Sequence, residues 1–182
     1  MNDTLDTSPD ADGTSRRRLL AALVGGGIAA VTLPRIADAA DEPPLRDAAD
    51  TDTLNTAMRL ETRLAATCAA AANGLTAGAD REAVALLRDH HVAYAQAIAG
   101  VLGPDAARPD DTPLADTAGA FVAVARTLAV LENQAAATHL SLIGGLRGVR
   151  SAALLASIAS VESRHGAALE MVSGTGAVEA SR

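Results

Sequence analysis

The sequence predicts an all-α protein, a four-helix bundle assembled from two duplicated antiparallel helical hairpins joined by a crossover. An internal repeat is the first sign. Leu60-Glu61, Ala65-Ala66-Thr67-Cys68 and Gly74 match Leu131-Glu132, Ala136-Ala137-Thr138-His139 and Gly145, about seventy residues further on. Each stretch is followed by a polar cluster, Arg88-Asp89-His90-His91 after the first and Glu162-Ser163-Arg164-His165 after the second. Composition is the second sign. The 182 residues are 49% hydrophobic but include one Phe, one Tyr and no Trp, so the core is built from Ala, Leu, Val and Ile. That inventory suits closely packed helices, whereas a sheet would need more aromatic and β-branched side chains. Length and a charged fraction of 20% fit one domain with a sizeable core.

The net charge of -7 argues against a nucleic-acid partner, because phosphate binding needs a basic face. A single Cys68 excludes an intramolecular disulfide. The chain carries no nucleophile elbow, glycine-rich phosphate loop or Cys-x-x-Cys pair.

Residues 1–39 read as an export signal. Ser15-Arg16-Arg17-Arg18-Leu19-Leu20 opens a basic segment, an apolar run extends from Leu19 to Leu33, and Ala37-Asp38-Ala39 supplies small residues for cleavage. The pattern resembles a twin-arginine signal, with Leu19 where that pattern usually has Phe. Gly25-Gly26-Gly27 makes the run a poor stable helix, and the run is shorter than the roughly 20 apolar residues that span a bilayer. The expected location is therefore outside the cytoplasmic membrane, in the periplasm or envelope or secreted. The membrane is then met only in transit, or through an uncleaved signal acting as an anchor. Residues 40–51 read as a flexible spacer.

Four helices follow within residues 52–173. The first runs from about Asp52 to Asn73 and is stopped by Gly74; the second starts behind Asp80 as N-cap and ends before Gly103-Pro104. The third begins between Thr112-Pro113 and Gly119 and stops at Gly144-Gly145, and the fourth covers Val149 to Val172. Residues 174–182 read as a frayed tail. Spacings of three and four put Leu54, Glu61, Leu64 and Cys68 on the inner stripe of the first helix, and Val84, Arg88, His91, Ala95 and Ile98 on that of the second. On the third the stripe holds Phe121, Ala125, Leu128, Glu132, Ala135, His139 and Leu142, and on the fourth Leu155, Ile158, Glu162, His165, Leu169 and Val172. Each is apolar at its ends and ionisable in its middle. At 1.5 Å rise per residue, Glu61, His91, Glu132 and Glu162 all lie about 16 to 20 Å from their own hairpin turn. For both hairpins to share one centre, the link between helices two and three must run back along the bundle. A third helix starting at Gly119 leaves a link of up to about 53 Å, ample for a return of roughly 36 Å, so the later start is preferred.

The set Glu61, His91, Glu132 and Glu162-x-x-His165 on four helices behind a twin-arginine-like signal resembles the ferritin-like superfamily, in particular its exported bacterial ferritin-like domain proteins. That family's pattern is one Glu from each of two helices and a Glu-x-x-His pair from each of the other two. The resemblance implies a metal site made of Glu61, His91, Glu132, Glu162 and His165, with Arg88 standing where a bridging Glu belongs. It also implies iron or manganese as the metal, and an oxidoreductase acting with dioxygen or peroxide. Carboxylates with imidazoles suit iron, manganese or zinc. Three Glu anions and one Arg leave about two negative charges, which balance one divalent ion per chain.

Around these ligands, His139, Tyr94 and Arg88 are expected as neighbours that hydrogen-bond to them, His139 being also a candidate ligand or a core histidine. Cys68, in the matching place of the first copy, reads as a small buried hydrophobe. His90 falls off the stripe and is expected to be exposed, as is Asp89. A homo-oligomer is compatible with the sequence. A rival reading from a different class is a metal-free bundle that serves as a binding or structural protein of the cell envelope, with Arg88 paired in the core to Glu61 or Glu162. Fold does not choose between the two.

Overall fold

The computed structural model describes residues 47–174, so the export signal, most of the spacer and the tail beyond Gly174 lie outside the described residues. Four long helices make up the fold: α1 (Thr51–Gly74), α2 (Ala79–Leu102), α3 (Phe121–Ile143) and α4 (Val149–Ser173), with short 3-10 turns at Ala48–Asp50 and Gly103–Asp105. Among the described residues there is no strand. None of these helices is long and apolar enough to cross a membrane.

Helix starts differ in detail from the sequence pattern. Asp80 is not the cap of α2; Gly78 is, at a φ of 138° that only glycine adopts readily, and Asp80 sits in the first turn where its charge favours the helix dipole. Residues 48–50, read as spacer, form a 3-10 turn capped by the Asp47 side chain, which accepts from the Ala49 N–H at 2.9 Å. Asp50 is buried and caps a different helix. Its two carboxylate oxygens accept the N–H groups of Arg147 and Gly148 at 2.8 Å each, just ahead of α4. The opening of α1 is thereby fastened to the α3–α4 turn.

Helices α1 and α2 pack as one antiparallel hairpin and α3 and α4 as the other, while α1–α3 and α2–α4 contacts close the bundle. Residues 106–120 carry the chain from the end of α2 back to the start of α3 as a strap laid on α1. Asn55 donates to the Asp105 carbonyl at 3.0 Å and accepts from the Ala107 N–H at 2.7 Å. Thr62 exchanges two hydrogen bonds with the Asp110 backbone, Arg63 reaches the Thr112 carbonyl, and Thr67 accepts from the Leu114 N–H at 2.8 Å. The partners advance along α1 as the strap advances, so the strap runs parallel to α1 and delivers α3 at the far end of the bundle. This is the return that a shared centre demands.

The core comes in two apolar clusters. One holds Cys68, Ala71, Val84, Leu87, Val124, Leu128 and Leu169; the other holds Leu54, Met58, Tyr94, Ile98, Leu102, Leu155 and Ile158. Between them lies a layer of buried ionisable side chains.

Candidate metal centre

Every helix supplies that layer. Glu61 from α1, His91 from α2, Glu132 and His139 from α3, and Glu162 and His165 from α4 are each no more than 2% exposed. Their ligand atoms form two groups that could each hold an ion: Glu61, His139 and Glu162, and His91, Glu132 and His165. Burying so many charges without compensation would cost several kcal/mol per ion.

His91 lies between the two lone glutamates. Its Nδ1 faces Glu61 Oε2 at 2.8 Å and its Nε2 faces Glu132 Oε1 at 3.1 Å. Carboxylates only accept, so both ring nitrogens donate and His91 is an imidazolium. Burial disfavours that charge, but the Glu132 charge and hydrogen bonds with Cys68, Glu132 and Glu61 raise the His91 pKa well above its usual value. The same contacts act on the acids. Burial would lift Glu61, yet hydrogen bonds from His139 and His91 hold it at about 2. Glu132 is likewise lowered against burial, by His91 and His165.

The other group is less complete. His139 Nε2 donates to Glu61 Oε1 at 2.5 Å and is 3.4 Å from Glu162 Oε1. Neither oxygen of Glu162 has a hydrogen-bond partner, and His139 Nδ1 has none either. Burial pushes Glu162 up to about 8. His139, disfavoured as a cation by burial, is raised to about 9 by Glu162 and Glu61. Buried polar atoms are nearly always satisfied. A pair of unsatisfied carboxylate oxygens beside a second carboxylate and an imidazole is what a cation would complete, so the donor set fits a divalent metal.

Four positions depart from the sequence reading. Arg88 is not in the core; its side chain is 42% exposed at the flank of α2 and pairs with its neighbour Asp89 at 2.6 Å. Leu87, one turn before His91, takes the inward place, because a spacing of four keeps closer to one face than a spacing of three does here. His90, expected in solvent, is buried: its ring stacks on His165 with centroids 5.1 Å apart, and its Nδ1 lies 3.0 Å from His165 Nε2. His139, expected as a neighbour of ligands, faces both Glu61 and Glu162 directly. Tyr94 is buried with its ring edge-on to His91, and its hydroxyl has no partner.

A repeat offset of 71 residues, applied strictly, gives the signal that would have found three of these, His90 being the exception. It pairs Glu61 with Glu132 and Cys68 with His139, but it also pairs His91 with Glu162 and Tyr94 with His165. The counterpart of Glu162-x-x-His165 is thus His91-x-x-Tyr94. The second Glu is replaced by His91, not by Arg88, and the positive charge that takes its place is an imidazolium between Glu61 and Glu132.

Comparison with known proteins agrees with this architecture. No curated protein and no solved structure matches the chain. The model of the ferritin-like domain family matches residues 49–175, the whole bundle with both halves of its polar layer, and the chain belongs to that family.

Proposed function

We propose that this is an exported metal-binding protein that holds one divalent ion, iron or manganese, through Glu61, His139 and Glu162. The observation that carries the reading is Glu162, a fully buried carboxylate with no hydrogen bond to either oxygen, next to Glu61 and His139. The charges of Glu61 and Glu162 balance one divalent ion, while imidazolium His91 balances Glu132. A bound iron or manganese ion would supply one-electron chemistry with dioxygen or peroxide. The chain's own contribution is to fix the donors on four helices, exclude water from the layer, and hold His91 as a cation where a second ion would sit. His90 has a supporting part: a proton shared between His90 Nδ1 and His165 Nε2 sets which nitrogen of His165 faces Glu132.

The proposed location rests on Arg16-Arg17-Arg18 and the short apolar run behind them. Replacing Arg16 and Arg17 with Lys is expected to strand the protein in the cytoplasm; normal export of that variant would remove the twin-arginine reading. Elemental analysis of protein prepared without chelators or metal-binding tags tests the rest. One equivalent of iron or manganese per chain is expected, lost in Glu162→Gln and in His139→Ala. The closed His91 bridge between Glu61 and Glu132 favours a second reading, a metal-free bundle that binds a partner in the cell envelope. Absence of uptake at saturating iron and manganese, with His139→Ala as stable as the wild type, would select it.

A further inference from the structure

The metal-binding reading leaves one buried polar atom without a role, the hydroxyl of Tyr94. Tyr94 is the only tyrosine in the chain. It is 6% exposed, its hydroxyl is buried without a hydrogen-bond partner, and the residue belongs to the core cluster that also holds Leu54, Met58, Ile98 and Ile158. A buried tyrosine hydroxyl almost always finds a partner, and leaving one unmade costs about 1–3 kcal/mol. Phe would fill the same space without that cost.

Two observations put Tyr94 beside the metal group. The repeat makes Tyr94 the counterpart of His165, whose Nδ1 faces Glu132 at 3.3 Å; the counterpart of Glu132 is Glu61. Tyr94 also lies at the same end of the polar layer as His139, since Tyr94 belongs to the cluster against which Leu142, one turn beyond His139, packs. Burial is the largest effect on its hydroxyl and raises its pKa; the His91 charge opposes this, and Glu61, Glu132 and Glu162 lie close enough to add to it. Hydrogen-bond contact with those carboxylates is absent. The hydroxyl is therefore left with its lone pairs free beside a group of carboxylates.

We infer that Tyr94 is a fourth donor to the Glu61, His139 and Glu162 group, and that this makes the group a binding site for ferric iron. The inference rests on the metal-binding reading. On binding, the Tyr94 O–H bond breaks, its proton leaves to solvent, and an iron–oxygen bond forms; no electron is transferred. Two carboxylates and one phenolate then carry three negative charges, which match a trivalent ion, whereas the two carboxylates alone match a divalent one. Hard oxygen donors around a small, highly charged cation fit the same preference.

The test uses the full bundle loaded with ferric nitrilotriacetate, with unbound iron removed. Phenolate bound to ferric iron absorbs visible light, so the wild type should turn coloured, and resonance Raman excitation in that band should enhance tyrosine ring modes. Tyr94→Phe, checked for an unchanged far-UV spectrum, should lose the colour and bind ferric iron at least about tenfold more weakly, while its affinity for manganese(II) stays within about threefold. Iron-bound wild type without the band, or a band that persists in Tyr94→Phe, would overturn the Tyr94 assignment and leave divalent binding standing. Wild type that takes up neither iron nor manganese would overturn both. The Raman measurement on wild type keeps the question answerable if Tyr94→Phe misfolds.

Discussion

His91 shows how one side chain sets the capacity of the centre. It takes the place of the second bridging Glu and carries positive charge between Glu61 and Glu132. The double substitution His91→Glu with Tyr94→His is therefore expected to recreate a second Glu-x-x-His pair and raise metal content from one ion per chain to two, measured by elemental analysis. Arg88→Glu should add no ion, because Arg88 lies at the surface with Asp89. Proton linkage gives a second prediction. Glu162 at about 8 and His139 at about 9 both carry protons at neutral pH, and a metal that uses both must displace them. Raised values in the metal-free state mean that competition by protons weakens as pH rises and ends above about 9. Manganese(II) affinity should thus rise by up to about 100-fold per pH unit below pH 8 and level off above 9, with about two protons released per ion, as read by calorimetry in buffers of different ionisation enthalpy. Glu61, His91, Glu132, Glu162 and His165 were picked out in the sequence because each is an ionisable side chain within an apolar stripe. Tyr94 was expected to hydrogen-bond to the ligands and makes no such bond, and His90 was missed because it lies next to His91, where a helix turns by about 100° and only one of two neighbours is expected inside.

At the scale of elements, the helices follow from composition and their ties do not. Glycines at the turns and alanine-rich interiors mark α1 to α4 within a residue or two of their observed ends. The long strap was foreseen as a geometric need, since matched heights could not otherwise meet. Its fastening was not: Asn55, Thr62 and Thr67 are spaced along α1 in a way that fits no motif, and their partners are backbone groups some fifty residues away. Asp50 escaped for the same reason, as its partners at Arg147 and Gly148 come from the other hairpin. Asp50→Ala would leave two N–H groups at the head of α4 without their acceptor. A loss of about 1–2 kcal/mol in unfolding free energy is expected, measured by urea titration. Gly148 belongs to the same tie, since a methyl group there would stand 2.9 Å from Asp50 Oδ2 and 3.3 Å from the Asp47 nitrogen.

For the whole molecule, a polar layer between two apolar clusters would couple metal binding to folding. An ion that binds only the folded chain stabilises it in proportion to its excess over Kd, by about 2.7 kcal/mol at one hundred times Kd. Manganese(II) at that excess should raise Tm by about 10 °C in a thermal melt, and Glu162→Gln should abolish the rise. The overall fold was readable in the sequence because duplication, helical periodicity and matched heights all require the same bundle. Whether the layer carries metal was not readable, because a closed network of hydrogen-bonded ions and a ligand set use the same residues. The depth of the layer also governs time. With all six side chains no more than 2% exposed, no ion reaches them by diffusion through the closed bundle. On the metal-binding reading, loading and release wait for the helices to part, so the rate of uptake is expected to saturate at the opening frequency of the bundle. Once inside, an ion stays for as long as the bundle stays shut: its residence is set by the breathing of the chain as much as by the strength of the bonds that hold it.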